Sequence, residues 1–321
     1  MNEQLTNLCE QYIRNRDIIK SVSSWDSALI IPMAAMILTS RGQSADAEKI
    51  KACRKLLEQH TSIFSNFRGN TKLPTTAQLA CADDALDMMQ NAMAIYAALK
   101  EHFYGSEELA YISVILTTML SRDRAEEMAV KAKSLFKRMR KEHPFLTGSE
   151  DSGYAVLMTF SEKSEDTLVA EMEQCYKLLK PHFFNSNAVQ MLSHVLVFGS
   201  GTPEERCEAF LTLWKQIGKS GLDYGRSYEL SVLGSLSLLG VPAETVCAEM
   251  ALVNQFLAEQ KGYGLFSIDK ATRMMHSAML VSILHSSSQI AETAAVSGTI
   301  AMIAAQQAAT CAVIASTTVN T

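Results

Sequence analysis

A chain of 321 residues with 29 Lys and Arg against 34 Asp and Glu carries a formal net charge of −5. It therefore projects no global basic field to hold nucleic acid or an anionic membrane. An apolar fraction of 48% beside 20% charged residues is ordinary for a globular protein with a sizeable core. Seven cysteines, an odd number without a CxxC pair, lie mostly in helix-like segments, where a free thiol packs as a small hydrophobe. With an N-terminus, MNEQLTNLCEQ, that lacks a basic start and an apolar run, this usage predicts a cytoplasmic location.

The elements recur along the chain. His60, His102, His143 and His182 stand 42, 41 and 39 residues apart, each closes a similar segment (KLLEQH, AALKEH, RMRKEH, KLLKPH), and an aromatic residue follows each within a few positions. A period near 40 residues is the mark of one supersecondary unit copied along the chain. After an N-terminal pair over about 3–20 and 26–40, amphipathic "A" helices are predicted over 46–60, 85–101, 125–142, 165–180, 203–219 and 243–260. Their apolar residues fall at i, i+3, i+4 and i+7, as Leu168, Met172, Cys175 and Leu179 do.

The alternating "B" stretches 27–39, 109–120, 153–160, 188–198, 230–239 and 274–284 hold no Asp, Glu, Lys or Arg. A helix apolar on every side must be enclosed by others, and these are too short to cross a bilayer. The stretch 71–82 is the weakest B helix, because Pro74 has to sit in its first turn. Thr202-Pro203-Glu204-Glu205 reads as a capping box, and Ser44, Asp83 and Ser164 as caps of other copies. The prediction is an all-α chain of about seven helix-pair repeats forming an α-α superhelix, with a closed α/α toroid as the alternative. Residues 1–285 form one repeat domain, and 286–321 an alanine-rich helix or tail without charge after Glu292. Membrane contact, if any, falls to that tail.

Asp83-Asp84-Ala85-Leu86-Asp87 matches DDxxD, a pattern suited to divalent cations. Sibling copies carry Asp46/Glu48, Glu126/Glu127 and Glu204/Glu205 at the same phase, so these acids read as first-turn capping and dipole groups. The repeat histidines read as helix-end residues complementing terminal carbonyls, since neighbours on packed helices lie too far apart for one metal. No metal site and no cofactor are expected. The basic run KAKSLFKRMRK (131–141) lacks the stacking groups that nucleic-acid binding wants.

Six A–B loops remain, at one point of every unit, and so on one edge: NFRGN (66–70), YGSEE (104–108), TGSEDSG (147–153), NSNAVQ (185–190), DYGRSYE (223–229) and SIDKATR (267–273). Loops on a rigid scaffold are where binding residues concentrate. The candidates there are Asn66, Arg68 and Asn70, with Asn187, Gln190, Tyr228 and Glu229. Arg68 has the fork that holds a carboxylate or phosphate. Glu150, Asp151 and the core-helix His194 are the groups able to move protons.

The stretches FSNFRGN (64–70), EHPFLTGSEDSGYA (142–155) and LKPHFFNSNAVQMLSHVL (179–196) together resemble an uncharacterised bacterial cytoplasmic family, catalogued as domain of unknown function 4003. The resemblance runs nearly to the alanine-rich tail and implies no reaction, cofactor or catalytic residue. Two readings follow from the residues. One is a scaffold that binds a protein or peptide through the A–B rim or the inner groove of B helices. The other is an α/α-type enzyme acting on a small anionic substrate at the same rim, with Arg68 as anchor and Glu150, Asp151 or His194 as proton carriers.

Overall fold

Uncharged helices cannot face water all round, and the chain solves this by alternating them with amphipathic ones. The structure, a computed structural model, describes residues 1–264 and 268–289, so the predicted tail helix over 298–315 lies outside the described residues. The described residues are all-helical, without a strand. The A helices are α1 (Glu3–Val22), α3 (Ala47–His60), α5 (Ala85–Lys100), α7 (Ala125–Glu142), α9 (Glu165–Leu179), α11 (Pro203–Lys219) and α13 (Ala243–Ala258). Alternating with them are α2 (Ile30–Ser40), α4 (Lys72–Cys81), α6 (Glu107–Leu116), α8 (Ser152–Met158), α10 (Ser186–Leu196), α12 (Glu229–Ser237) and α14 (Lys270–Gln289).

Burial follows the charge pattern. Every residue of α8 is buried, as are Ile30–Thr39 of α2, Leu109–Leu116 of α6 and Ala188–Leu196 of α10. The A helices bury one stripe each, for example Ile50, Cys53 and Leu57 in α3 and Val246, Cys247, Met250, Val253 and Leu257 in α13. Cys207 and Cys247 are both buried at the fifth position of their helices. Fully burying a side chain of Leu size contributes roughly 1.5–3 kcal/mol.

The chain divides into two compact units. In the unit containing Glu10–Phe136 and Gly148–Thr159, α4 packs on α2 and α6, α8 packs on α6, and α3 packs on α5. In the unit containing Met1–Cys9, Lys137–Thr147 and the described residues from Phe160 onward, α12 packs on α10 and α14, and α11 on α9 and α13.

Helix ends have identifiable causes. The Thr202 hydroxyl accepts from the Glu205 N–H at 3.3 Å and the Glu205 carboxylate accepts from the Thr202 N–H at 2.8 Å, so the predicted capping box forms. Ser164 caps α9 as expected, accepting from the Thr167 N–H at 3.1 Å. Two caps differ from the expected residue. Asp46 rather than Ser44 caps α3, and Asp84 rather than Asp83 caps α5, accepting from the N–H groups of Leu86 at 3.0 Å and Asp87 at 2.9 Å. The reason is reach, since a capping side chain must sit immediately before the first helical residue. Pro74 lies in the first turn of α4, where its missing N–H costs nothing. At the end of α2, Gly42 adopts φ 65°, which lets Gln43 N–H reach the Leu38 carbonyl at 2.9 Å.

Because Asp84 caps α5 and Asp83 stands in the preceding bend, the two neighbours should separate cleanly in urea unfolding. Asp84→Ala should cost about 1 kcal/mol, whereas Asp83→Ala should stay within about 0.5 kcal/mol of the parent.

Candidate functional site

Each A helix ends in a loop that must turn the chain into a buried B helix, and aromatic rings fix the turn. In the α3–α4 loop, Phe67 is buried and meets the Tyr96 ring of α5 edge-on at 5.1 Å. In the α5–α6 loop, Phe103 is buried against Phe136 at 5.4 Å, with the Lys133 ammonium 4.8 Å from its centre. In the α9–α10 loop, Phe183 is buried against Trp214 at 5.1 Å and Phe210 at 5.9 Å. The histidines assist with their rings. His102 meets Glu126 at 2.8 Å, and His143 meets Glu173 at 2.7 Å and lies tilted against the Tyr176 ring, with centroids 4.4 Å apart. Both carboxylates belong to the next A helix, so these rings link neighbouring A helices rather than only ending their own.

The predicted site residues are mostly engaged within these loops. The Arg68 guanidinium donates to the Thr61 hydroxyl at 2.9 Å, to the Thr61 carbonyl at 2.6 Å and to the Glu58 carbonyl, and so closes the C-terminus of α3. Asn66 donates its amide to the Tyr96 hydroxyl at 2.6 Å. The Asn70 N–H donates to the Glu107 carboxylate at 2.7 Å, which joins the α3–α4 and α5–α6 loops. Gln190 is buried and donates to the Thr147 hydroxyl at 2.8 Å, Asp151 is buried and accepts from the Gly148 N–H at 2.8 Å, and Glu229 accepts from the Ser227 N–H at 3.0 Å. His194 is buried within α10, Glu150 and Tyr228 are half-buried, and Asn187 is exposed. Among the described residues no group of three or more His, Cys, Asp or Glu is placed to hold a metal ion.

Glycine makes one of these ties possible. A Cβ on Gly69 would come within 1.9 Å of a Glu107 carboxylate oxygen, so the carboxylate rests directly on the loop backbone. Burial pushes the Glu107 carboxyl above the usual glutamate range, and the amides of Asn70 and Thr71 offset part of that rise. At Glu171 burial also acts upward, but hydrogen bonds from Lys163 at 2.7 Å and Arg206 at 2.6 Å outweigh it and hold the carboxyl below its ordinary value.

The sequence reading missed what the same loops send outward. Trp25 is 95% exposed, Phe64 90%, Tyr104 96%, Phe145 98% and Phe184 99%. Successive members stand 39, 40, 41 and 39 residues apart, one in each of the first five A–B loops. Trp25, Phe64 and Tyr104 fall in one compact unit, and Phe145 and Phe184 in the other. Beside Phe64 an open groove of about 510 Å³ is lined by His60, Met93, Tyr96 and Lys100. The signal in the sequence was the aromatic following each histidine. Where two rings adjoin, as in Phe103-Tyr104 and Phe183-Phe184, spacing alone does not say which one turns out.

Residues 15–308 of the chain match a family model. The chain belongs to the family described as Protein of unknown function (DUF4003). It is also 22% identical over 225 residues to the uncharacterized protein YeaA of Bacillus subtilis (strain 168), which covers 68% of this chain and 67% of that one. No solved structure matches the chain. Among the described residues of this DUF4003 protein, no helix is long and apolar enough to cross a membrane.

The Glu107 tie carries a pH signature. A carboxyl raised in the folded state favours folding below its unfolded value, and that contribution is lost as pH rises through the folded value. Glu107→Gln keeps an acceptor for the Asn70 N–H and removes the titration. Its urea midpoint relative to the parent should therefore climb as pH rises above the ordinary glutamate range and through the raised folded-state titration of this carboxyl. A difference that does not vary with pH would contradict this account of the carboxyl.

Proposed function

We propose that this DUF4003 protein is a helical-repeat scaffold, its helix pairs stacked as an α-α superhelix, that binds a protein or peptide through the edge formed by its A–B loops. The observation that carries the reading is the set of five outward rings, one per loop. An exposed Phe is costly to hold in water when an inward position lies beside it. Fully covering a Phe side chain is worth roughly 1.5–3 kcal/mol before ordering costs. Trp, Tyr and buried aromatic anchors dominate the energetics of protein interfaces. The support beneath the rings also fits a binding edge. Inward rings, Arg68 and the Asn70–Glu107 tie fix the loops, so little conformational entropy is lost when a partner docks. The Arg68 donors that an anionic substrate would need are directed to the carbonyls of α3 instead.

Peptide display against the whole chain tests the reading. Peptides should be enriched, and Trp25→Ala, Phe64→Ala or Tyr104→Ala should each weaken their binding roughly tenfold or more. Val130→Ala, exposed on the outer face of α7, should leave it unchanged. Enriched peptides that ignore all three ring substitutions would remove the proposal.

A further inference from the structure

We infer that Cys175 and Cys207 form a redox-active pair, which a peroxide oxidises to a disulfide tying α9 to α11. The pair sits within the A helices and does not rest on the binding-edge reading. The first argument is register. α9 packs on α11 within one compact unit. Glu171, Gln174 and Cys175 stand at i, i+3 and i+4 and so share one face of α9. The Glu171 carboxylate accepts from the Arg206 guanidinium of α11 at 2.6 Å, and Gln174 donates to the Glu204 carboxylate. The same register brings the Cys207 sulfur to 3.9 Å from the Cys175 carbonyl oxygen. The two cysteine side chains also hydrogen-bond to each other.

Electrostatics gives the second argument. The hydrogen bond from the Cys207 thiol holds Cys175 below the ordinary cysteine range against the effect of burial, and the Arg206 guanidinium acts in the same direction. Cys207 is pushed up by that hydrogen bond and by burial. One sulfur is thereby suited to attack as a thiolate, while the other keeps its proton until it resolves the product. Elsewhere burial works unopposed by such a partner, raising Cys53 and pushing Cys81 and Cys247 up to about 11. Access selects the oxidant. Cys175 is 0% and Cys207 2% exposed, which suits a small neutral molecule such as hydrogen peroxide and not a bulky disulfide. In the first step the Cys175 thiolate attacks one peroxide oxygen. The S–O bond forms, the O–O bond breaks, and the departing hydroxide takes up the proton that Cys175 released. The Cys207 sulfur then displaces the oxygen from Cys175, which leaves as water with the Cys207 proton as the S–S bond forms. Two thiols thus lose two electrons, and one peroxide gains them as two waters.

The test is oxidation of the full folded chain with hydrogen peroxide, then blocking of the remaining thiols with iodoacetamide in urea. Digestion without reductant and mass spectrometry follow. Peptides holding Cys175 and Cys207 should be recovered joined, more often than any other cysteine pair, and dithiothreitol should separate them. In Cys207→Ser, with circular dichroism unchanged, dimedone should tag the sulfenic acid at Cys175. An untagged Cys175 there would remove its role as the attacking sulfur. Mapping of the unaltered chain decides the pairing even if that variant does not fold. Recovery of Cys175 and Cys207 as separate blocked thiols would overturn the inference. So would joining of the two no more often than of other pairs.

Discussion

The enclosure of the uncharged B helices governs the rest of the molecule. Segments such as Leu109–Leu116 and Ser152–Met158 carry no charge and bury every residue, so they find partners only in one another and in the apolar stripes of the A helices. B helix therefore meets B helix, from α2 to α4 to α6 to α8 in one unit and from α10 to α12 to α14 in the other. The A helices turn their charged faces to water. Once that order is imposed, every A–B connection starts at the same end of an A helix and enters the same end of a B helix.

The loops meet this demand with a common device. One aromatic ring is driven inward to pack on the neighbouring A helix, as Phe67 packs on Tyr96 and Phe183 on Trp214. Loop N–H groups are satisfied by carboxylates from loop or helix starts, as Asn70 is by Glu107 and Ser227 by Glu229. Polar side chains that look available in the sequence are thereby committed to the scaffold. The outward rings are left as the groups most exposed to a partner.

Much of the fold was legible because charge and apolar periodicity report burial directly. The absence of charge located the B helices, and Pro74 and the Thr202 box fell where their chemistry places them. Caps were legible in kind but not to the residue, because Ser44 and Asp46, or Asp83 and Asp84, differ only in which one directly precedes the helix. The A–B connections were legible as loops, while their chemistry was not. Arg68 reads as an anion anchor until the carbonyls of Glu58 and Thr61 are seen beside it. His102 and His143 read as caps until Glu126 and Glu173 are found across from their rings. These contacts join residues 24 and 30 positions apart, which no local pattern encodes.

The central claim is that the outward rings serve an interface and not the stability of the chain itself. Urea unfolding of Phe64→Ser, Phe145→Ser and Phe184→Ser beside the inward control Phe183→Ala measures this most directly. The account predicts that each outward substitution stays within about 0.5 kcal/mol of the parent, while the inward one costs about 3–5 kcal/mol. A loss of several kcal/mol at the outward positions would contradict it, because those rings would then belong to the core.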